Sequence, residues 1–258
     1  MTLKELISIL EDLAPPEGAA DWDNVGLILE AGSGLSVQKI LLTLDLSAEV
    51  ASEALDEGVQ MIVAYHPPVF SGLKQLNRAD PVAAPLLDLL SAGVSVYSPH
   101  TALDAAPEGL SDWLAGAFCY EHIEPVEGSG RILTLAAPLS PEDVGRCLRK
   151  HLDLPYLRQA RAAQGTGSIH RLALCPGAGV SVLTGLDVEA VVTGEMKHHD
   201  LLSFTRRGVH VFLSEHSHTE RPYLAVLRER MRKALPKGVE IILSRADRDP
   251  IELEVGGA

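Results

Sequence analysis

The chain has 258 residues, enough for one large α/β domain or two smaller lobes around a substantial core. Hydrophobic residues make up 46% and charged residues 22%, the balance of a folded globular protein and not of a disordered or fibrous one. With 22 Lys and Arg against 35 Asp and Glu, the net charge of −13 repels phosphate backbones, which argues against generic nucleic-acid binding and suits a site for metal cations.

At the N-terminus, Thr2 followed by Glu5 and apolar Leu3, Ile7, Leu10 and Leu13 reads as a capping box opening an amphipathic helix, not a targeting signal. No apolar run approaches membrane-spanning length, so a cytoplasmic location without a membrane partner is expected. Strand-like runs then alternate with helical patterns: strand 39–46, helix 47–58, strand 60–65, helix 81–93, strand 94–98 and a helix through 109–118. The segment 21–27, DWDNVGL, reads as a structured loop with Trp22 packed inward. The turn-rich stretch 124–131 places a lobe boundary near residue 125, dividing the chain into an N-terminal lobe (1–125) and a C-terminal lobe (126–258). The second lobe continues with RILTLAA and a helix opened by Ser140 and Pro141. Strands follow at 168–175, 188–194, 208–214 and 239–244, the last a candidate to return to the first lobe. The expected fold is therefore α/β, two lobes of mixed, largely parallel sheets flanked by helices, with the site between them.

Six of the ten histidines fall in four short segments, AYHPP (64–68), SPHTALDAA (98–106), TGEMKHH (193–199) and SEHSHTER (214–221). Each follows a strand-like run, and the crevice beyond the carboxyl ends of parallel strands is where α/β proteins bind ligands. His100 and Asp104 are four apart, as are His216 and Glu220, while Glu195 precedes His198 by three and His199 by four. Such spacings let two side chains on a helix approach one ion, and mixed imidazole and carboxylate ligands suit zinc, iron or manganese better than calcium. Taken singly, each pair reads more readily as a surface helical pair, and His66 as a loop histidine beside a turn; their joint placement after strands carries the shared-site reading. Cys119, Cys147 and Cys175 form no CxxC pair and read as buried small hydrophobes in a reducing compartment. Gly177-Ala178-Gly179 has Val182 where a dinucleotide fingerprint needs a small residue, so it reads as a tight turn whose amides face an anion at most. No G-x-S-x-G occurs, which removes a hydrolase nucleophile elbow.

DWDNVGL, YHPPVF, YSPHTALDAAPEGLSDWLA, TGEMKHHD and EHSHTER, in that order over most of the chain, resemble the GTP cyclohydrolase 1 type 2 homologue family, the YbgI-like proteins with a dinuclear metal centre. The resemblance implies divalent metal ions, one or two per chain, on His66, Asp104, His216 and Glu220, with Glu220 bridging. His100 and Tyr65 are weaker candidate ligands, and Glu195, His198 and His199 are cavity-facing candidates for catalysis. It also implies a homohexamer with its sites facing an interior cavity. Tyr65 stands where many relatives carry a second histidine, as in a Y-H-P-P subgroup; with one imidazole fewer, the nearer ion is expected to be held more weakly. Glu215 stands where many relatives have glycine. Two functions follow as expectations: a metal-dependent hydrolase acting on a small molecule or nucleotide, or a non-catalytic metal-binding assembly or regulatory protein with protein partners.

Overall fold

A computed structural model describes residues 1–252 other than Ser33 and Leu35, so the end of the 126–258 span lies outside the described residues. The first part of the chain runs α1 (Leu3–Leu13), β1 (Gly26–Leu29), β2 (Lys39–Thr43), α2 (Ala48–Asp56), β3 (Met61–Ala64), α3 (Ala83–Ser91), β4 (Ser95–Ser98), α4 (His100–Ala105) and α5 (Leu110–Ala115). It continues through β5 (Tyr120–Val126), β6 (Gly130–Leu139), α6 (Pro141–Leu152), β7 (Arg158–Ala160), β8 (Ile169–Leu174), α7 (Val180–Leu183), β9 (Ala190–Thr193), α8 (His198–Arg206) and β10 (His210–Leu213). It closes with α9 (Tyr223–Ala234) and β11 (Glu240–Leu243).

Two sheets result. The first has the order β1-β4-β3-β2-β11 and is parallel except for β1 at its edge. Its central strands are buried on both faces, which accounts for their continuous apolar runs: Ile40, Leu42, Val63 and Tyr65 face one core, Leu41, Ile62 and Ala64 the other. The second sheet, β5-β6-β8-β9-β10-β7, is mixed: β8, β9 and β10 run parallel, and β5, β6 and β7 pair antiparallel. The turn-rich stretch at 124–131 is a hairpin within this second sheet; Val126 pairs with Gly130, and in the three-residue loop between them Glu127 and Gly128 both take positive φ.

The chain does not stay in its second half. β11 pairs in parallel with β2, Ile241 beside Ile40, and α9 packs Leu224, Leu227 and Met231 into the same core as Leu3, Leu6 and Leu10 of α1. Each such buried side chain contributes about 1.5–3 kcal/mol, so the C-terminal return is a structural part of the first lobe. Sequence reasoning did not anticipate α9 or the short strands β1, β5 and β7. The α1 capping box forms as expected: the Thr2 hydroxyl accepts from the Glu5 amide at 3.3 Å, and the Glu5 carboxylate accepts from the Thr2 amide at 2.8 Å.

Candidate metal centre

The carboxyl ends of β3 and β4 in one sheet, and of β8 and β10 in the other, open onto one cavity of about 480 Å³. His66 follows β3, His100 opens α4 directly after β4, and His216 stands after β10 at the start of a short 3-10 turn, Ser217–Thr219. His216 and Glu220 are therefore not on an α-helix, yet the tight turn still brings them together.

Three imidazoles are held in the same way. His66 Nδ1 lies 2.8 Å from Asp45 Oδ1, His100 Nδ1 2.8 Å from Asp23 Oδ1, and His216 Nδ1 2.9 Å from Glu195 Oε1. A carboxylate partner places the proton on Nδ1 and leaves the Nε2 lone pair free, the arrangement that orients metal-binding histidines. His66 Nε2 then lies 3.5 Å from Glu220 Oε2, and His216 Nε2 3.3 Å from Glu220 Oε1. These separations exceed the usual 2.7–2.9 Å of a charge-assisted hydrogen bond. They match the edge, about 3.4 Å, of a tetrahedron with metal–ligand bonds of about 2.0–2.1 Å.

Glu220 is 3% exposed, and its Oε2 is buried with no hydrogen-bond partner. A buried carboxylate oxygen left that way costs several kcal/mol unless a cation meets it. Among the described residues, His66, His216 and Glu220 are the group whose ligand atoms could hold an ion, all within 4.8 Å of one another. The donor set fits a divalent transition ion. The hydrogen bond to Glu220 raises the His216 imidazole to about 9, against its burial and with help from Glu195, so a proton occupies the place such an ion would take.

Asp104 borders the same cavity without joining that group. Tyr65, almost wholly buried, donates to Asp104 Oδ1 at 2.6 Å. Burial pushes both groups upward, the Asp104 carboxyl well above the usual carboxylate range and the Tyr65 phenol well above its own, with the neighbouring acids adding to both shifts. Tyr65 thus serves as a hydrogen-bond donor to a candidate ligand. Asp104 is fixed from behind by Arg131 of β6, whose Nη2 donates to the carbonyls of Asp104 at 3.2 Å and Ala105 at 3.1 Å, while Nε pairs with Asp112 at 2.6 Å. Arg131 is 4% exposed and ties the two sheets together at the site.

The Gly177-Ala178-Gly179 turn is a floor for this centre. A Cβ at Gly177, whose φ is +60°, would lie 2.5 Å from Glu220 Oε1, and one at Gly194 would lie 2.7 Å from the His216 Cα. The amides of Gly177 and Gly179 donate to the hydroxyls of Thr219 and Thr193, so they are not free to cradle an anion. Beside this turn, burial and then Asp104 push the Cys175 thiol up to about 12, which keeps it neutral and a poor nucleophile. Only Cys175 is buried as the sequence suggested; Cys119 is exposed on the connection into β5, and Cys147 is half-buried.

Other expectations need correction. Trp22 is 64% exposed at the cavity mouth, because its neighbour Asp23 turns inward to His100 and to the Thr101 amide and hydroxyl. Burial would raise the Asp23 carboxyl, but hydrogen bonds from His100 and Thr101 bring it down to about 2. His198 and His199 are exposed at the start of α8, edge to face with centroids 5.5 Å apart, and line no part of the centre. Glu195 precedes that helix and reaches His216 instead. Glu215 adopts φ +68°, the left-handed region glycine enters freely, and its buried carboxylate pairs with Arg158 at 3.2 Å; His100 is also at positive φ. Both non-glycine outliers adjoin the centre, where backbone strain persists because surrounding bonds over-determine it. Sequence reasoning missed Asp45, Asp23 and Arg131; Asp23 stands inside DWDNVGL, already singled out, and Asp45 near the end of the strand expected at 39–46, and a carboxylate in each place was the available signal.

Two α/β lobes closing on a partly buried His–Glu cluster define an α/β protein with a candidate metal centre in its cleft. The sequence matches the model of the Duf34/NIF3 (NGG1p interacting factor 3) family over residues 1–250, and the chain belongs to that family. It is 38% identical to the NIF3 homolog of Schizosaccharomyces pombe over 96% of each chain, and 32% identical to NGG1-interacting factor 3 of Saccharomyces cerevisiae over 92% of each. Among solved structures, reduced HcgD from Methanocaldococcus jannaschii superposes with a TM-score of 0.83 at 25% identity, covering 94% of this chain and 97% of that one. The protein ybgI, described as of unknown function, shares the fold with a TM-score of 0.80 at 22% identity over 95% and 98%.

Proposed function

We propose that the chain is a divalent-cation protein that hydrolyses a small organic substrate in the cleft between its lobes, with His66, His216 and Glu220 holding one ion tightly. The observation that carries this reading is Glu220 Oε2, buried and unpartnered between two imidazoles whose outer nitrogens are already committed to carboxylates. A bound divalent ion supplies Lewis-acid polarisation and activation of water. His100 is the proton carrier: Asp23, kept ionised, orients its ring, which lies 5.3 Å from that of His66. Tyr65 and Asp104 form a second, weaker position, since the phenol already takes one Asp104 oxygen. Elemental analysis and a panel of phosphate esters, amides and nucleosides test the reading. About one tightly held ion, lost in Glu220→Gln, together with turnover lost in His100→Asn at unchanged metal content, is the expected result; metal-loaded protein inert to the whole panel counts against hydrolysis.

The second reading is a non-catalytic metal-binding assembly or partner protein. It is supported by the names of the yeast relatives and by exposed Leu73, Leu76, Val82 and Leu90 near the β1 edge of the first sheet. A homohexamer is what the family resemblance implies, and light scattering tests it; the cytoplasmic location is an expectation of the sequence, and no described helix is long and apolar enough to cross a membrane. His216→Ala separates the two readings: an intact oligomer without turnover favours chemistry, whereas a dissociated one favours assembly.

A further inference from the structure

We infer that the mouth of the cavity is a binding site for an uncharged planar heteroaromatic ring, presented to the cation side by Trp22 and Phe70. Both side chains are largely exposed, 64% and 55%, although each offers an apolar face that water solvates poorly. They are not scattered. Their centroids are 5.8 Å apart with planes at 49°, and each faces His100, at 6.1 and 6.4 Å. His100 in turn stands 5.3 Å from His66, so a row of rings leads from solvent to the centre.

The two loops that carry these aromatics are braced. Asn24, two residues after Trp22, donates its side-chain amide to the carbonyl of Val69, the residue before Phe70, at 2.6 Å. Asp23 is anchored by His100 and Thr101, and the Ala20 amide donates to the Thr101 hydroxyl at 3.0 Å. The aromatic jaw is therefore a braced surface whose two rings touch each other, and a planar ring that stacks on their exposed faces costs little ordering free energy of the loops. Charge sets the rest of the specificity: none of the described residues lining this cavity is Lys or Arg, while Asp104 and Glu220 are among them, and the whole chain carries −13. A flat neutral base stacks there; a polyphosphate finds no counter-charge on the protein.

The inference rests on the proposed cation centre for what happens beyond the mouth, and its test is separable from that centre. The full chain, both metal-loaded and after chelator treatment, is titrated with guanosine, adenosine, GTP and ATP, with ribose as the non-planar control, by calorimetry and by tryptophan fluorescence. Both nucleosides are expected to bind and quench Trp22 in either form; in the chelator-treated form, where no cation meets the phosphates, the triphosphates should bind at least tenfold more weakly, and ribose not at all. Trp22→Ala and Phe70→Ala, at exposed positions that leave the fold intact, should each weaken nucleoside binding by about tenfold, and Trp22→Phe should retain most of it. The inference is overturned if neither nucleoside binds, if the triphosphates bind the chelator-treated chain as well as the nucleosides do, or if the alanine variants shift only the oligomeric state. Elemental analysis of the same sample reports on the centre independently: a metal-free preparation counts against the cation reading, whereas metal-loaded protein that ignores both nucleosides counts against the aromatic jaw.

Discussion

Two acids, Glu220 and Asp104, lie at 3% and 5% exposure in one cleft, and the protein compensates them in opposite ways. Glu220 faces two imidazole nitrogens at distances too long for good hydrogen bonds, and one of its oxygens has no partner at all. Asp104 accepts a phenolic hydrogen bond from Tyr65, and its own backbone is clamped by Arg131. Equal burial thus yields two arrangements: one corner is left for a cation to complete, the other is completed largely by the protein. Tyr65 produces that asymmetry, because a phenol donates where an imidazole nitrogen would ligate.

The largest way to break this comparison is Arg131→Ala. It removes the buried link between β6 and the Asp104 end of α4, and should lower unfolding free energy by about 3–5 kcal/mol in a denaturant titration. Tyr65→Phe leaves Asp104 Oδ1 buried without its donor and is expected to cost about 1–3 kcal/mol in the same measurement. Tyr65→His sharpens the contrast: it should raise metal content from about one ion towards two. Asp45→Asn, which loosens His66 only, should weaken the tight ion by about 10–100-fold in a chelator competition, whereas Asp23→Asn should leave that ion in place.

The remaining contrast is a pH dependence. His216 is raised to about 9 from an ordinary value of 6.5, so its contribution to metal-free stability is present in full below 6.5 and is lost as pH rises through 9. Metal binding displaces that proton, so affinity should rise about tenfold per pH unit up to 9 and then level off; an affinity flat between pH 7 and 9 would remove His216 from the ligand set.

Much of the site was legible in one dimension. Histidines directly after strands point to the carboxyl end of a sheet, since the end of a continuous apolar run marks where a doubly buried strand stops and a loop begins. That placement made His66, His100, Asp104, Glu195, His198, His199, His216 and Glu220 candidates, and the family resemblance then singled out His66, Asp104, His216 and Glu220; Gly177 is visible as a turn. The α1 capping box and the Ser140-Pro141 helix start were equally local, because their hydrogen bonds close within three residues. Tertiary structure decided the rest. Only packing could turn Asp23 inward and Trp22 outward, send Glu195 to His216 while leaving His198 and His199 in solvent, or return α9 and β11 to the first lobe. Those outcomes depend on contacts between residues tens to hundreds of positions apart, and local periodicity carries no information about which distant carboxylate a given imidazole will meet.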